Sequence, residues 1–147
     1  MQQADKSDKQ IQAAGKRVGI VISRFNTGIT DGLLASARGY LSAAGVLEQD
    51  CQFVFVPGAI EIPYALQKLA KSEKFDCLVA LGCVIRGETP HFDYVCKMAQ
   101  EGTLRVSLDQ SIPIGFGVIT VNTTEQAQAR FHVGGEAVAA ALELAAI

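Results

Sequence analysis

Val18-Gly19-Ile20-Val21-Ile22 is an apolar, β-branched run with no polar residue in alternation, the pattern of a strand buried on both faces of a parallel sheet. A helix follows it. Leu33, Leu34, Ala37, Tyr40, Leu41 and Ala44 recur at helical spacing; Thr30 is expected to cap the start and Gly45 to end it. The same order repeats down the chain. Cys51 to Val56 reads as a second strand, followed by a helix with Pro63 in its first turn and Tyr64, Leu66, Leu69 and Ala70 on its apolar face. Asp76 to Leu81 reads as the third strand, with a polar loop from Gly82 and a helix from about His91 to Leu108. Ile114 to Val121 reads as the fourth, weakened by Gly115 and Gly117, and the alanine-rich tail Thr124 to Ile147 as helix divided at Gly134-Gly135.

Strands alternating with helices imply right-handed βαβ units. The expected fold class is therefore α/β: a three-layer sandwich with a four-stranded parallel sheet and helices on both faces. The 147 residues, 49% of them hydrophobic, suffice for one domain, taken as residues 17–147. Met1 to Lys16 is polar, rich in Gln, Asp and Lys, and expected to stay disordered outside the fold. Two readings fit the apolar surface on the last helix and on Phe53, Phe55 and Phe116: a neighbouring subunit covers it, or it is the scattered apolar exposure that a monomer tolerates.

With 13 basic and 15 acidic residues the formal charge is -2, no electrostatic footprint for nucleic acid or an anionic membrane. No apolar run approaches the roughly 20 residues that span a bilayer. Small molecules and protein partners remain. Cys51, Cys77, Cys83 and Cys96 have no CxxC spacing, as expected of a reduced, cytoplasmic protein.

Ligands of open parallel sheets bind beyond the carboxyl ends of the strands. There the sequence places Ser23-Arg24-Phe25-Asn26, Pro57-Gly58-Ala59-Ile60-Glu61, the loop from Gly82 to His91, and Asn122-Thr123-Thr124-Glu125. This set suits a flat, hydrogen-bonding heterocycle stacked on Phe25, with Asn26 and Glu61 at its polar edges. Phe25 as a core residue, and Glu61 as a solvated loop carboxylate, are the competing readings. Arg86-Gly87-Glu88-Thr89-Pro90-His91 opens a helix whose free N–H groups and positive dipole end can hold phosphate. Thr89 either adds its hydroxyl to that site or serves only as a cap. Gly82 and Gly87 have the glycine spacing of a P-loop, but Glu88-Thr89 stands where Lys-Ser/Thr is required, so nucleotide hydrolysis is unsupported.

His91 is placed to carry protons near neutral pH. Asp93, two residues on, does not face it on a helix, so no dyad is read. His91, Asp93 and Cys96 match no established metal-ligand spacing, and neither a metal nor an organic cofactor is expected. No Ser-His-Asp or Cys-His nucleophile can be assembled.

Taken together, Arg24-Phe25-Asn26, Pro57-Gly58-Ala59-Ile60-Glu61-Ile62-Pro63 and Ala80-Leu81-Gly82-Cys83-Val84-Ile85-Arg86-Gly87-Glu88-Thr89-Pro90-His91-Phe92-Asp93-Tyr94 resemble lumazine synthase, a flavodoxin-like family. The likeness runs through nearly everything after Lys16. It implies condensation of 5-amino-6-(D-ribitylamino)uracil with 3,4-dihydroxy-2-butanone 4-phosphate to give 6,7-dimethyl-8-ribityllumazine, phosphate and water, the penultimate step of riboflavin biosynthesis. By this resemblance Phe25 stacks on the pyrimidine, while Asn26, Ala59 and Glu61 position the pyrimidine and ribityl groups, with Gly58 and Ile60 beside them. Val84 and Ile85 contact the ring through their backbone next to Cys83. Glu88 and Thr89 meet the phosphate, and His91 is the catalytic proton carrier. Arg130 matches the family's phosphate-binding arginine and Phe116 an aromatic from the adjacent subunit, so the active sites would lie between subunits of a homo-oligomer.

One departure stands out. Where the family usually has a lysine-containing Gly-Thr-Lys-Ala-Gly-like kink, this chain runs Phe131-His132-Val133-Gly134-Gly135. The kink resembles a feature of members that build sixty-subunit shells, so the expectation is a pentamer without a shell. The alternative function is a non-catalytic flavin- or lumazine-binding paralogue, disfavoured by the retained His91 and Arg130. A purely structural shell subunit is disfavoured by the altered kink, and a receiver-like signalling domain by the absence of acidic residues after the first strand.

Overall fold

A computed structural model describes residues 11–147. Four strands, β1 (Val18–Ser23), β2 (Cys51–Val56), β3 (Cys77–Ile85) and β4 (Ile114–Val121), form one parallel sheet in the order β2-β1-β3-β4. Between and after them run α1 (Thr27–Ala43), α2 (Ile62–Lys71), α3 (His91–Gln110), α4 (Thr124–Gln128) and α5 (Val133–Ala145). The expected three layers are present. Ile20, Ile22, Val79 and Leu81 bury one sheet face against α1 and α5, and Val21, Leu78, Ala80 and Val84 bury the other against α2 and α3. Each fully buried Leu or Ile contributes on the order of 1.5–3 kcal/mol relative to exposure.

Helix α1 begins at Thr27, earlier than the sequence suggests, with Asn26 in the left-handed region (φ 64°, ψ 51°) and no side-chain cap. Thr30 is no cap: it is buried, and its hydroxyl donates to the Thr27 carbonyl over 3.3 Å. Gly45 ends the helix as expected, at φ +83°, where the Val46 and Gly45 N–H groups donate to the Leu41 and Ser42 carbonyls, the paired bonds of a Schellman stop. Strands β2 and β4 and the start of α3 fall where the periodicity puts them.

Two glycine readings need correcting, for one physical reason. Gly82 does not open a loop: β3 continues to Ile85, paired with β4 through Ile85 and Val121. A Cβ on Gly82 would lie 2.9 Å from Ser23 Oγ and 3.2 Å from Ile62 Cδ1, so the glycine makes room for β1 and α2. Gly134 and Gly135 do not divide the tail either. They sit in the first turns of α5, where a Cβ on Gly134 would come 2.0 Å from the Leu33 carbonyl oxygen of α1. The break falls earlier, between Gln128 and Val133, where the Phe131 ring packs over Gly32.

Residues 1–10 of the segment expected to be disordered lie outside the described residues. The remainder, 11–16, packs on the fold: Ala13 is 5% exposed, and its N–H donates to the Ala44 carbonyl over 2.8 Å. The uncovered apolar surface is also redistributed. Helix α5 buries Val138, Ala141 and Leu142, whereas α3 exposes Tyr94, Met98, Leu104 and Leu108 along one stripe opposite its core face. Phe55 and Phe116 are exposed at the two edge strands, and Phe53 is half-covered, with the Arg38 guanidinium 4.0 Å above its ring.

Candidate active site

The chain goes from β1 to β2 on one side, then crosses back past β1 to β3. The point of reversal lies between the carboxyl ends of β1 and β3, where a crevice is expected. Pairing of β1 with β3 stops at Ile22 and Leu81, and β3 runs on four residues further beside β4. In that gap is a crevice of about 280 Å³. A larger hollow of about 380 Å³, beside Asp76 and Ser111, lies at the opposite end of the strands and is far more open to solvent.

Phe25 and Asn26 form one side of the crevice. Their backbone is fixed because the ladder outlasts the strands: the Arg24 and Phe25 N–H groups donate to the Val56 and Pro57 carbonyls over 2.8 and 3.0 Å. Phe25 is 70% exposed, so it is not a core residue. Asn26 accepts from Ile29 and Thr30 N–H through its carbonyl, and its Nδ2 donates to the Cys83 carbonyl over 3.2 Å. Its left-handed backbone, which Asn tolerates better than most residues, turns the chain from strand into helix while aiming the amide across the gap.

Gly58, Ala59, Ile60 and Glu61 supply the second side, in a short 3₁₀ turn leading into α2. The Glu61 carboxylate folds back over Gly58, with Oε1 3.7 Å from where a Gly58 Cβ would be. Cys83, Val84 and Ile85 form the floor. Alternation along β3 turns the Ile85 N–H and C=O to the same edge as the Cys83 carbonyl, past the end of β1, where they face the gap rather than a strand. Burial pushes the Cys83 thiol up to about 11, so at neutral pH it is a protonated apolar wall and no nucleophile.

Thr89 and His91 close the far end, with Gly87, Phe92 and Val95. The last three were not among the site residues named from sequence; for Val95 helical spacing was the available signal, since it lies one turn beyond His91. His91 is the first residue of α3, and its N–H donates to Thr89 Oγ1 over a long 3.4 Å. Among the described residues the imidazole itself has no hydrogen-bond partner, so it can engage a ligand without breaking an internal bond. Asp93 turns away to Arg86, 3.8 Å off. No three His, Cys, Asp or Glu side chains among the described residues come close enough to hold a metal.

Glu88, Phe116 and Arg130 do not line this crevice. Glu88 is exposed on the adjacent loop, and Phe116 lies on β4 opposite Ala80, farther down the sheet. Arg130 is exposed just after α4, and its Nη1 donates to the Gln126 carbonyl over 2.7 Å. Eleven of the fourteen residues named from sequence thus meet at one place in a single chain, and three do not.

The profile of the 6,7-dimethyl-8-ribityllumazine synthase family matches residues 15–147. Three relatives of that name are similar to this chain. One from Desulfatibacillum aliphaticivorans is 50% identical over 117 residues, covering 80% of this chain and 76% of its own. One from Nitrosomonas europaea is 45% identical over 139 residues, covering 94% and 85%, and one from Paracidovorax citrulli is 48% identical over 129 residues, covering 87% and 84%.

Proposed function

The chain belongs to the 6,7-dimethyl-8-ribityllumazine synthase family, and we propose that the crevice between the ends of β1 and β3 is where it works. The protein is a transferase of riboflavin biosynthesis that condenses 5-amino-6-(D-ribitylamino)uracil with 3,4-dihydroxy-2-butanone 4-phosphate, releasing phosphate and water. The observation that carries the assignment is convergence: the loops after β1 and β2, the end of β3 and the first turn of α3 line one crevice.

Phe25 stacks on the pyrimidine, and the Asn26 amide, the Ile85 backbone and Glu61 read its polar edge and the ribityl chain. The N–H groups opening α3, with Thr89 and Glu88 beside them, meet the phosphate-bearing substrate. The ring amine attacks the ketone to form an imine, phosphate is eliminated, and the second amine closes the ring. His91 carries protons for these steps. Most of the acceleration comes from holding two reactants in attack geometry, which can supply several kcal/mol. Mixing both substrates with purified protein and following lumazine absorbance tests this; a rate no higher than the spontaneous one rejects it.

The site is completed by a neighbour. A volume of about 280 Å³ is at the low end for small-molecule sites, which run roughly 300–1,000 Å³, and it must admit two reactants. Phe25 lies open, and the apolar stripe of α3 has no cover among the described residues. We assign the missing wall to Phe116 and Arg130 of an adjacent copy, in a pentamer that does not close into a shell. Sedimentation finding a particle near sixty subunits overturns the pentamer. A four-reduced-cysteine chain suits the cytoplasm as its compartment.

Complementation tests the shared site. Arg130→Ala raises KM for the phosphate substrate far more than it lowers kcat, because a guanidinium holds phosphate in a charge-assisted, bidentate contact. When His91→Ala and Arg130→Ala chains are co-assembled, half of each at random, about a quarter of the interfaces pair an intact His91 with an intact Arg130. At phosphate-substrate concentrations well below the KM of the Arg130→Ala enzyme, activity recovers in that proportion. No recovery means each site is built from one chain.

A further inference from the structure

Arg86 lies outside the crevice lining, yet its side chain is held by three partners. Nε donates to Asn122 Oδ1 over 3.0 Å, the guanidinium carbon is 4.4 Å from the Phe92 ring centroid, and Nη2 lies 3.8 Å from Asp93 Oδ1. Its own N–H donates to the Val121 carbonyl over 2.9 Å. Asn122 is itself fixed: its N–H donates to Gln126 Oε1 over 2.7 Å, part of the capping of α4. One planar cation therefore spans the loop 86–90, joining the exit of β4 to the first turn of α3.

The first turn of α3 is where His91 stands, and Phe92 is a wall of the crevice. The Pro90 cap position of this helix offers no side-chain cap bond, and the Thr89 contact to His91 is long. Little else within the loop fixes that turn. A half-exposed ion pair such as Arg86–Asp93 adds little stability by itself. Its value is geometric, because the fork of N–H donors and the flat stacking face set the helix start relative to the sheet. We propose that Arg86 is a positioning residue for the condensation: by clamping Phe92 and Asp93 to Asn122 it holds His91 and Thr89 at the working distance from the β3 floor. This rests on the reading of the crevice as the reaction site.

The test compares Arg86→Lys, Asn122→Ala and Asn122→Asp with the unaltered assembled enzyme. Lysine keeps the charge but lacks the fork and the plane. Arg86→Lys is expected to lower kcat about tenfold, with KM for both substrates within about twofold and with thermal midpoint and assembly size unchanged; small displacements of reacting groups cost this much or more. Asn122→Ala, which removes the Oδ1 acceptor with the rest of the amide, lowers kcat in the same direction, and Asn122→Asp, which retains an acceptor oxygen, restores it to within about twofold. If Arg86→Lys disrupts assembly, the Asn122 pair alone decides. Unchanged kcat in Asn122→Ala, or an equal loss in Asn122→Asp, overturns the clamp. An unaltered enzyme no faster than the spontaneous reaction instead overturns the reading of the site, which is a separate result.

Discussion

In steady-state kinetics His91→Ala lowers kcat on the order of 10²-fold, while KM for either substrate changes by less than about threefold. The imidazole stands at the rim of the crevice, among the described residues it has no internal partner, and it opens α3 beside Thr89. On the proposed reading of the crevice, removing it deletes the proton carrier and leaves in place the Phe25 face, the Asn26 amide and the β3 floor assigned to holding the reactants. The loss is bounded because, on that reading, the remaining site still orients two reactants, and orientation is the larger part of the acceleration. A variant with kcat within about threefold of the parent would take His91 out of the chemistry.

The largest effect on stability is expected at Gly115. A Cβ there would lie 1.9 Å from the Ala137 carbonyl oxygen and 2.7 Å from its carbon, both backbone atoms of α5. No rotamer relieves such a contact, so Gly115→Ala must lift α5 from β4, breaking the close packing that buries Val138 and Ala141. Overpacking that side chains can absorb costs about 1–3 kcal/mol; displacing a helix backbone should exceed about 3 kcal/mol. Gly39→Ala is the matched control. It sits within α1 with nothing within 4 Å of the added carbon, and exchanging a helical glycine for alanine there gains about 0.5–1 kcal/mol. Urea unfolding at equal protein concentration should shift the two midpoints in opposite directions. A Gly115→Ala midpoint equal to the parent's would mean that α5 does not lie so close to β4.

The strands were legible because burial on both faces leaves unbroken apolar runs, as in Val18 to Ile22, and the helix stop at Gly45 because only a positive φ fits there. The segments that line the crevice were legible because a doubly wound sheet leaves its crevice at the strand ends. Legibility failed wherever a glycine had two possible causes. Gly82, Gly134 and Gly135 look like turns in a one-dimensional reading, yet each makes room for another element distant in sequence. Thr30 looked like a cap for a similar reason: its hydroxyl suits a helix start, but it lies on the buried face of α1, where the hydroxyl donates to the Thr27 carbonyl within the helix.

The chain alone determined the α/β class, the order of its elements and the three segments that meet at the crevice, since these follow from local periodicity and from the placing of Phe25, Asn26, Glu61 and His91 at strand ends. Tertiary packing decided that β3 outruns β1 by enough to open a crevice, that Asn26 reaches the Cys83 carbonyl across it, and that Arg86 ties α3 to β4. It also separated Phe116 and Arg130 from the crevice of their own chain. Such relations depend on distances between residues far apart in sequence, which no spacing along the chain encodes.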